Sequence, residues 1–403
     1  MNASYLEKFI DNTFNLSYKD TTHSFSSKSE TFIKTFFSHL CEANKSFKHV
    51  QSKLCIFDTV LDYKGENYNH IPKKIQTIIE TTKKYGKKIQ FTIGDRTINV
   101  NFFSFSIEKQ NTNAFFLDCI KKIYLWLFIA DKYAFKKCSL YMNIYIYFTN
   151  EIKQLPETNK DYIISETNAS TGFTTWCQEK TEINIYRLEE WFKVFIHETF
   201  HNLGLEFSVM NIQNGSKKLF SHFPIKMNFL FFETYCEVWA EIIHILFVSF
   251  FSIKSNKYHL FINCAEDLLE TQQLFSIFQC AKVLKFNGLS YTDLYDMNNN
   301  NSHNKRLKYK ENTEVLAYYV FKSVLLYHYN YFIEWCIIHN GKNVIAFSKK
   351  QETVSNYCDL IIYLYKFHNE KFLKIYKKME EWIQYKKSVN NIEDTTMRMT
   401  IID

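Results

Sequence analysis

The chain has 403 residues, 46% hydrophobic, 18% aromatic and 23% charged, which is enough apolar surface for one large core or two fused lobes and excludes a disordered tail or a small stapled module. Its net charge of +7 is carried by lysines scattered in pairs such as Lys73-Lys74, Lys121-Lys122 and Lys377-Lys378. A nucleic-acid binder concentrates basic groups and uses arginine for bidentate contacts, so no nucleic-acid partner is expected.

From Ser4 to about Thr82 the apolar spacing is helical, for example Phe32, Phe36, Phe37 and Leu40. Lys88 to Phe105 alternates as two strands around an Ile93-Gly94-Asp95-Arg96 turn, a hairpin signal. Asn113 to Ala134 reads as helix, Leu140 to Phe148 as strand, and a polar loop runs from Thr149 to about Lys180. Thr181 to Arg187 then alternates, with Ile183 and Ile185 on one face. A helix from Leu188 to Leu203 follows, and Gly204 stands where its C-cap needs a left-handed residue. Phe229 to Phe251 is a second long helix; beyond Tyr258 the pattern is helical, interrupted by an exposed Asn298 to Lys310 loop and fraying from about Val389.

These elements predict an α+β fold in soft units: a helical region 1–87, an α+β lobe 88–206, a helical lobe 207–388 and a flexible tail 389–403. Met1 to Asp20 has no secretory pattern. The longest apolar run, Ile242 to Ile253, contains His244 and falls short of the roughly 20 residues of a membrane span. The ten cysteines lie far apart without a C-x-x-C pair, as reduced and mostly buried thiols would. An intracellular protein is expected, neither secreted nor membrane-spanning; nothing bears on its oligomeric state. The 8 glycines and four arginines (Arg96, Arg187, Arg306, Arg398), against 27 tyrosines, resemble AT-rich coding drift as in large DNA viruses and parasites; a viral source would place the protein in host cytoplasm or a virion. Each Gly and Arg that survives such drift raises the question of what retains it.

The chemistry is concentrated in His197-Glu198-Thr199-Phe200-His201. Histidines four apart on a helix lie on one face, one turn apart, so both imidazoles can converge on one ion with Glu198 beside them. Two neutral nitrogens, an open position for water and a carboxylate to take its proton are what a hydrolytic zinc needs. The pattern is short enough to arise by chance, and two surface histidines are the bland alternative. The helix is so apolar, however, that imidazoles and a carboxylate would be costly to bury unpaired. Phe207 stands where a metzincin would have its third histidine. Glu233, Glu237 and Glu241 instead form an i, i+4, i+8 stripe on the next apolar helix.

In these motifs, over about 50 residues, the chain resembles a gluzincin-type zinc metallopeptidase, the group containing thermolysin and anthrax lethal factor. The resemblance implies a zincin-like fold with a small twisted sheet and the HExxH helix in an N-terminal lobe, and one zinc ion held by His197, His201 and Glu237. It also implies Glu241 as the acid that hydrogen-bonds a ligand histidine, and Ala240 as the small residue packed on the first helix. Glu233 is the competing third ligand. Thr181 to Arg187 would be the sheet edge along which an extended peptide adds, with Asn168 to Trp176 a neighbouring rim. Arg187 would brace a carboxylate such as Glu190. The expected reaction is peptide hydrolysis by a zinc-bound water, with Glu198 as general base and Tyr309 or Tyr318 as candidate oxyanion donors, Tyr319 beside them. His244 reads as a core or supporting residue and His303 as solvated. The competing function is a zinc-braced structural or binding protein without turnover.

Overall fold

Strand residues of this chain alternate between two cores. On β4 (Tyr141–Phe148) Met142, Ile144, Ile146 and Phe148 join the large apolar cluster, while Tyr145 and Tyr147 face a smaller one with Tyr68, Ile75 and Ile79. β3 (Arg96–Ser104) divides in the same way, Ile98, Val100 and Phe102 against Phe103, and β6 (Lys180–Ile185) sets Ile183 and Ile185 together on the large core. This period-2 partition makes the sheet the middle layer of the α+β fold, between the short helix Lys73–Thr81 and a mass of helices. A computed structural model describes residues 2–14, 24–52, 54–58, 64–105, 113–156, 163–225, 229–253, 257–386 and 391–402.

With β1 (Phe57–Asp58), β2 (Tyr85–Ile93) and β5 (Gly172–Thr174), the sheet has six strands in the order β1-β2-β3-β4-β6-β5. β3, β4 and β6 are parallel; the others pair antiparallel. β2 and β3 form the hairpin expected around Gly94. β6 is an inner strand, so the edge expected at Thr181 to Arg187 is in fact β5, three residues inside the expected rim. Gly172 is required there: a Cβ would meet Ile185 Cδ1 at 2.6 Å and the Asn184 carbonyl at 2.8 Å.

Three further expectations are corrected. Register Tyr141↔Lys180 sets the residues three before each strand side by side, and these are Cys138 and Cys177, which form a disulfide with Cα atoms 4.9 Å apart. The thiols are therefore not all reduced, which removes one ground for expecting an intracellular setting. The Asn-rich loop is largely a helix, Asn300–Lys308, because the Asn299 side chain accepts from the Asn301 and Ser302 amides at 2.9 and 3.3 Å. The segment expected to fray is buried from Met397 to Ile402. Lys322 and Gln272 both donate to the Met399 carbonyl at 2.8 Å, and Glu190 accepts from the Met399 and Thr400 amides.

All four arginines are buried and donate to main-chain carbonyls. Arg187 reaches the Thr167 carbonyl at 2.6 Å, just ahead of β5, rather than Glu190. Among the described residues one helix, Phe231–Ser252, is long and apolar enough to cross a membrane by length and composition, and 89% of its most apolar window is buried within the fold.

Candidate metal centre

The HExxH motif lies on the helix Trp191–Asn202, all twelve residues of which are buried. Its end is fixed by Gly204, at φ +67°: the Gly204 amide donates to the His201 carbonyl at 3.1 Å and the Leu205 amide to the Phe200 carbonyl at 2.8 Å. These are the two bonds of a Schellman motif, and they hold the last turn, which carries His201, in register. The Phe231–Ser252 helix, which carries the Glu stripe, packs across it.

Where the two helices meet, His197 Nε2 lies 3.2 Å from His201 Nε2 and 3.1 Å from Glu233 Oε2, and His201 Nε2 lies 3.6 Å from the same oxygen. A tetrahedral ion with bonds of 2.0 to 2.1 Å spaces its ligand atoms about 3.3 Å apart. The triangle is therefore the right size for a small divalent ion, and this buried His197/His201/Glu233 group can hold one.

Each imidazole also has a carboxylate at its other nitrogen. Glu237 Oε2 is 2.9 Å from His197 Nδ1, and Glu206 Oε1 is 3.8 Å from His201 Nδ1. At 2.9 Å Glu237 is close enough to orient His197 and raise the basicity of the nitrogen facing the ion, whereas Glu206, at 3.8 Å, acts on His201 through its charge alone. Glu237 is itself paired with Lys193, and Glu241 with Lys322 at 2.8 Å, all four side chains being buried. Relative to expectation, the stripe is displaced by one helical turn: Glu233 stands at the triangle where Glu237 was expected, Glu237 behind a histidine where Glu241 was expected, and Glu241 on a lysine. Cys236 correspondingly takes the place expected of Ala240, three residues after the carboxylate at the triangle. An i, i+4, i+8 pattern maps onto itself after one turn, so spacing alone does not choose between the two registers. Sequence reasoning missed Lys193 and Glu206; a lysine inside an otherwise apolar helix was the available signal for the first.

The electrostatics favour a cation. Burial pulls both histidines down, yet Glu233 and Glu237 hold His197 up at about 9, and Glu233 and Glu206 hold His201 well above its usual value. Glu233 stays far below the carboxylate range despite its burial, because the two histidines face it. Without a metal, protons must supply the positive charge that these groups are arranged around.

The triangle opens on a cleft of about 970 Å³ whose lining includes Glu198, Tyr186, Tyr318, Trp176 and β5. Glu198 is 7% exposed, and among the described residues it has no hydrogen-bond or ion-pair partner. Burial raises its pKa, opposed by the histidines. Tyr318 lines the cleft and donates to Glu233 Oε2 at 3.2 Å; burial and then Glu233 keep its hydroxyl protonated well above the usual range. Tyr309 does not line the cleft and bonds Glu311 instead. Tyr319 is bonded to the Met397 carbonyl. Trp176 meets the His201 ring edge-on at 5.1 Å. His244 is outside the site, and His303 lies on the exposed face of the Asn300–Lys308 helix.

No family model, no curated protein and no solved structure matches the chain.

Proposed function

We propose that the chain is a zinc-dependent peptidase of the gluzincin type, with a zincin-like arrangement of sheet, HExxH helix and Glu helix, and with His197, His201 and Glu233 as ligands. The observation that carries this reading is the position of Glu198: a buried carboxylate left unpaired beside a triangle of metal-sized spacing, on the wall of an open cleft. A structural zinc site closes its fourth position and gains nothing from such a group, which counts against the zinc-braced structural alternative.

Zinc bound there would supply Lewis acidity, polarising an amide carbonyl and making a water more acidic. Glu198 accepts the water's proton, which its burial-raised basicity assists, and returns it to the leaving nitrogen. Tyr318, kept protonated, donates toward the carbonyl oxygen as charge develops. β5 presents the edge that no described strand pairs as a template for an extended peptide, antiparallel pairing with β6 occupying the other.

The test is cleavage of a peptide library by zinc-loaded protein. Wild type is expected to cleave, and Glu198→Gln to lose roughly 10² to 10⁴ in kcat with zinc retained. Full activity in that variant contradicts the role of the base.

A further inference from the structure

The cleft has a charge asymmetry that hydrolysis alone does not call for. The chain carries +7 overall, yet among the described residues no lysine or arginine lines this cleft. Beyond Glu198 and Glu233 its wall carries Glu166, Glu311 and Glu314. The segment bearing the last two is fixed on both sides. The Asn312 amide donates to the Ile164 carbonyl at 2.9 Å, and Glu314 accepts from the Leu230 amide, next to the Glu-stripe helix, at 3.3 Å. Glu311 Oε2 accepts from Tyr309 and from the Leu316 amide, while its Oε1 is buried with no hydrogen-bond partner.

We propose that this wall recognises a cationic group of the substrate, an ammonium or guanidinium, so that the peptides accepted are basic beside the scissile bond. The proposal rests on the peptidase reading and specifies the substrate class of the same cleft. Independently of the acidic wall, Glu198, buried and without a partner among the described residues, and the edge of β5 that no described strand pairs make the cleft suited to a ligand. Burial pushes Glu311 up to about 8 and Glu314 up to about 7, the behaviour of carboxylates without a cation of the protein's own beside them. Near neutral pH both groups are therefore largely protonated when the cleft is empty, and a substrate cation on this fixed wall would draw them into the carboxylate form, so the preference should strengthen as pH rises through about 7 to 8. The cation can belong to a Lys or Arg side chain or to the free α-amine of the peptide, and the test separates these sources.

Fluorescent peptides of equal length, carrying Lys, Gln or Glu at the central positions and each with a free or acetylated N-terminus, are titrated against zinc-loaded Glu198→Gln protein. This variant allows binding to be read without turnover. The Lys peptide, or the free-amine form if the α-amine is the group read, is expected to bind on the order of 10-fold more tightly than its neutral counterpart. The preference should shrink with added salt. It should collapse when Glu311→Gln and Glu314→Gln are added singly or together, the single variants keeping the test valid if the pair fails to fold. Equal binding of the three peptides, or a preference that survives both substitutions, overturns the proposal. Failure of wild type to cleave any peptide would instead sink the peptidase reading, with the binding preference still measurable.

Discussion

The two ends of the HExxH helix bury ionic groups in opposite ways. At its start, Glu190 is held at φ +59° and paired with Lys153, both fully buried, and Glu189 faces Arg398. This end borders a second cavity of about 830 Å³, lined by His244, Trp191 and Phe251, where burial and then Lys122 push His244 down to about 3. Behind the middle of the helix, Lys193 and Lys322 close on Glu237 and Glu241. Each of these carboxylates is matched by a cation of the chain. At the other end, His197, His201, Glu198 and Glu233 face a cleft with no lysine or arginine in its described lining. A buried charge without a partner is costly. The cleft end is therefore where an external cation would offset the buried carboxylates, and the His197/His201/Glu233 group could hold one.

The sharpest way to break the matched side is Lys193→Met. It leaves Glu237 buried with only the His197 imidazole at its carboxylate and Lys322 farther off, and should cost about 3 kcal/mol in denaturant unfolding, more above the pH at which His197 loses its proton. A cost near zero would mean that Glu237 is not charge-balanced by Lys193, and the contrast between the two ends would lose its basis.

The open side is read by pH. In metal-free protein His197 is held at about 9 by Glu233 and Glu237, against burial, compared with about 6.5 in the unfolded chain. A raised folded pKa contributes stability that is fully present below about pH 6.5 and is lost as pH rises through about 9. Metal-free protein should accordingly lose a few kcal/mol between about pH 6 and pH 9 in urea unfolding. Zinc affinity should rise over the same window, because protons and metal compete for the same nitrogens. Stability of the metal-free protein that rises with pH there would contradict the assignment.

A smaller effect tests the cap. Gly204→Ala puts a Cβ on a residue at φ +67° and 3.2 Å from Cys138 Sγ, and should cost about 1 to 2 kcal/mol in thermal unfolding. A neutral result would mean that the last turn, with His201, is not pinned by the Schellman bonds.

Much of this was legible in the residues. The period-2 face of Ile183 and Ile185, the Gly94 hairpin, the two long buried helices and the Gly204 cap all follow from local pattern. So does the convergence of His197 and His201, which i, i+4 spacing enforces. The third member of the triangle was not legible, because Glu233, Glu237 and Glu241 repeat with the helix turn and only packing of one helix on the other selects among them. β5 is three residues of Gly-Phe-Thr, too short for a period, and it took the edge from β6. The Cys138–Cys177 disulfide depends on strand register, which spacing in the chain does not reveal. The burial of 397–402 was not legible either, because Arg398 and Thr400 are buried along with Met397, Met399 and Ile401 and are bonded there by partners remote in the chain or by the segment itself. All four arginines bond carbonyls inside the fold, a role that their chain position alone did not reveal.

The most direct test of the central claim is zinc content after equilibration with a limiting zinc buffer, measured on wild type, Glu233→Ala and Glu237→Ala. One zinc per wild-type chain is expected, with loss of zinc in Glu233→Ala, and in Glu237→Ala a weakening of about 10- to 100-fold in affinity with the site still formed. Wild type that takes up no zinc, or Glu233→Ala that binds it as tightly as wild type while Glu237→Ala does not, would contradict the claim.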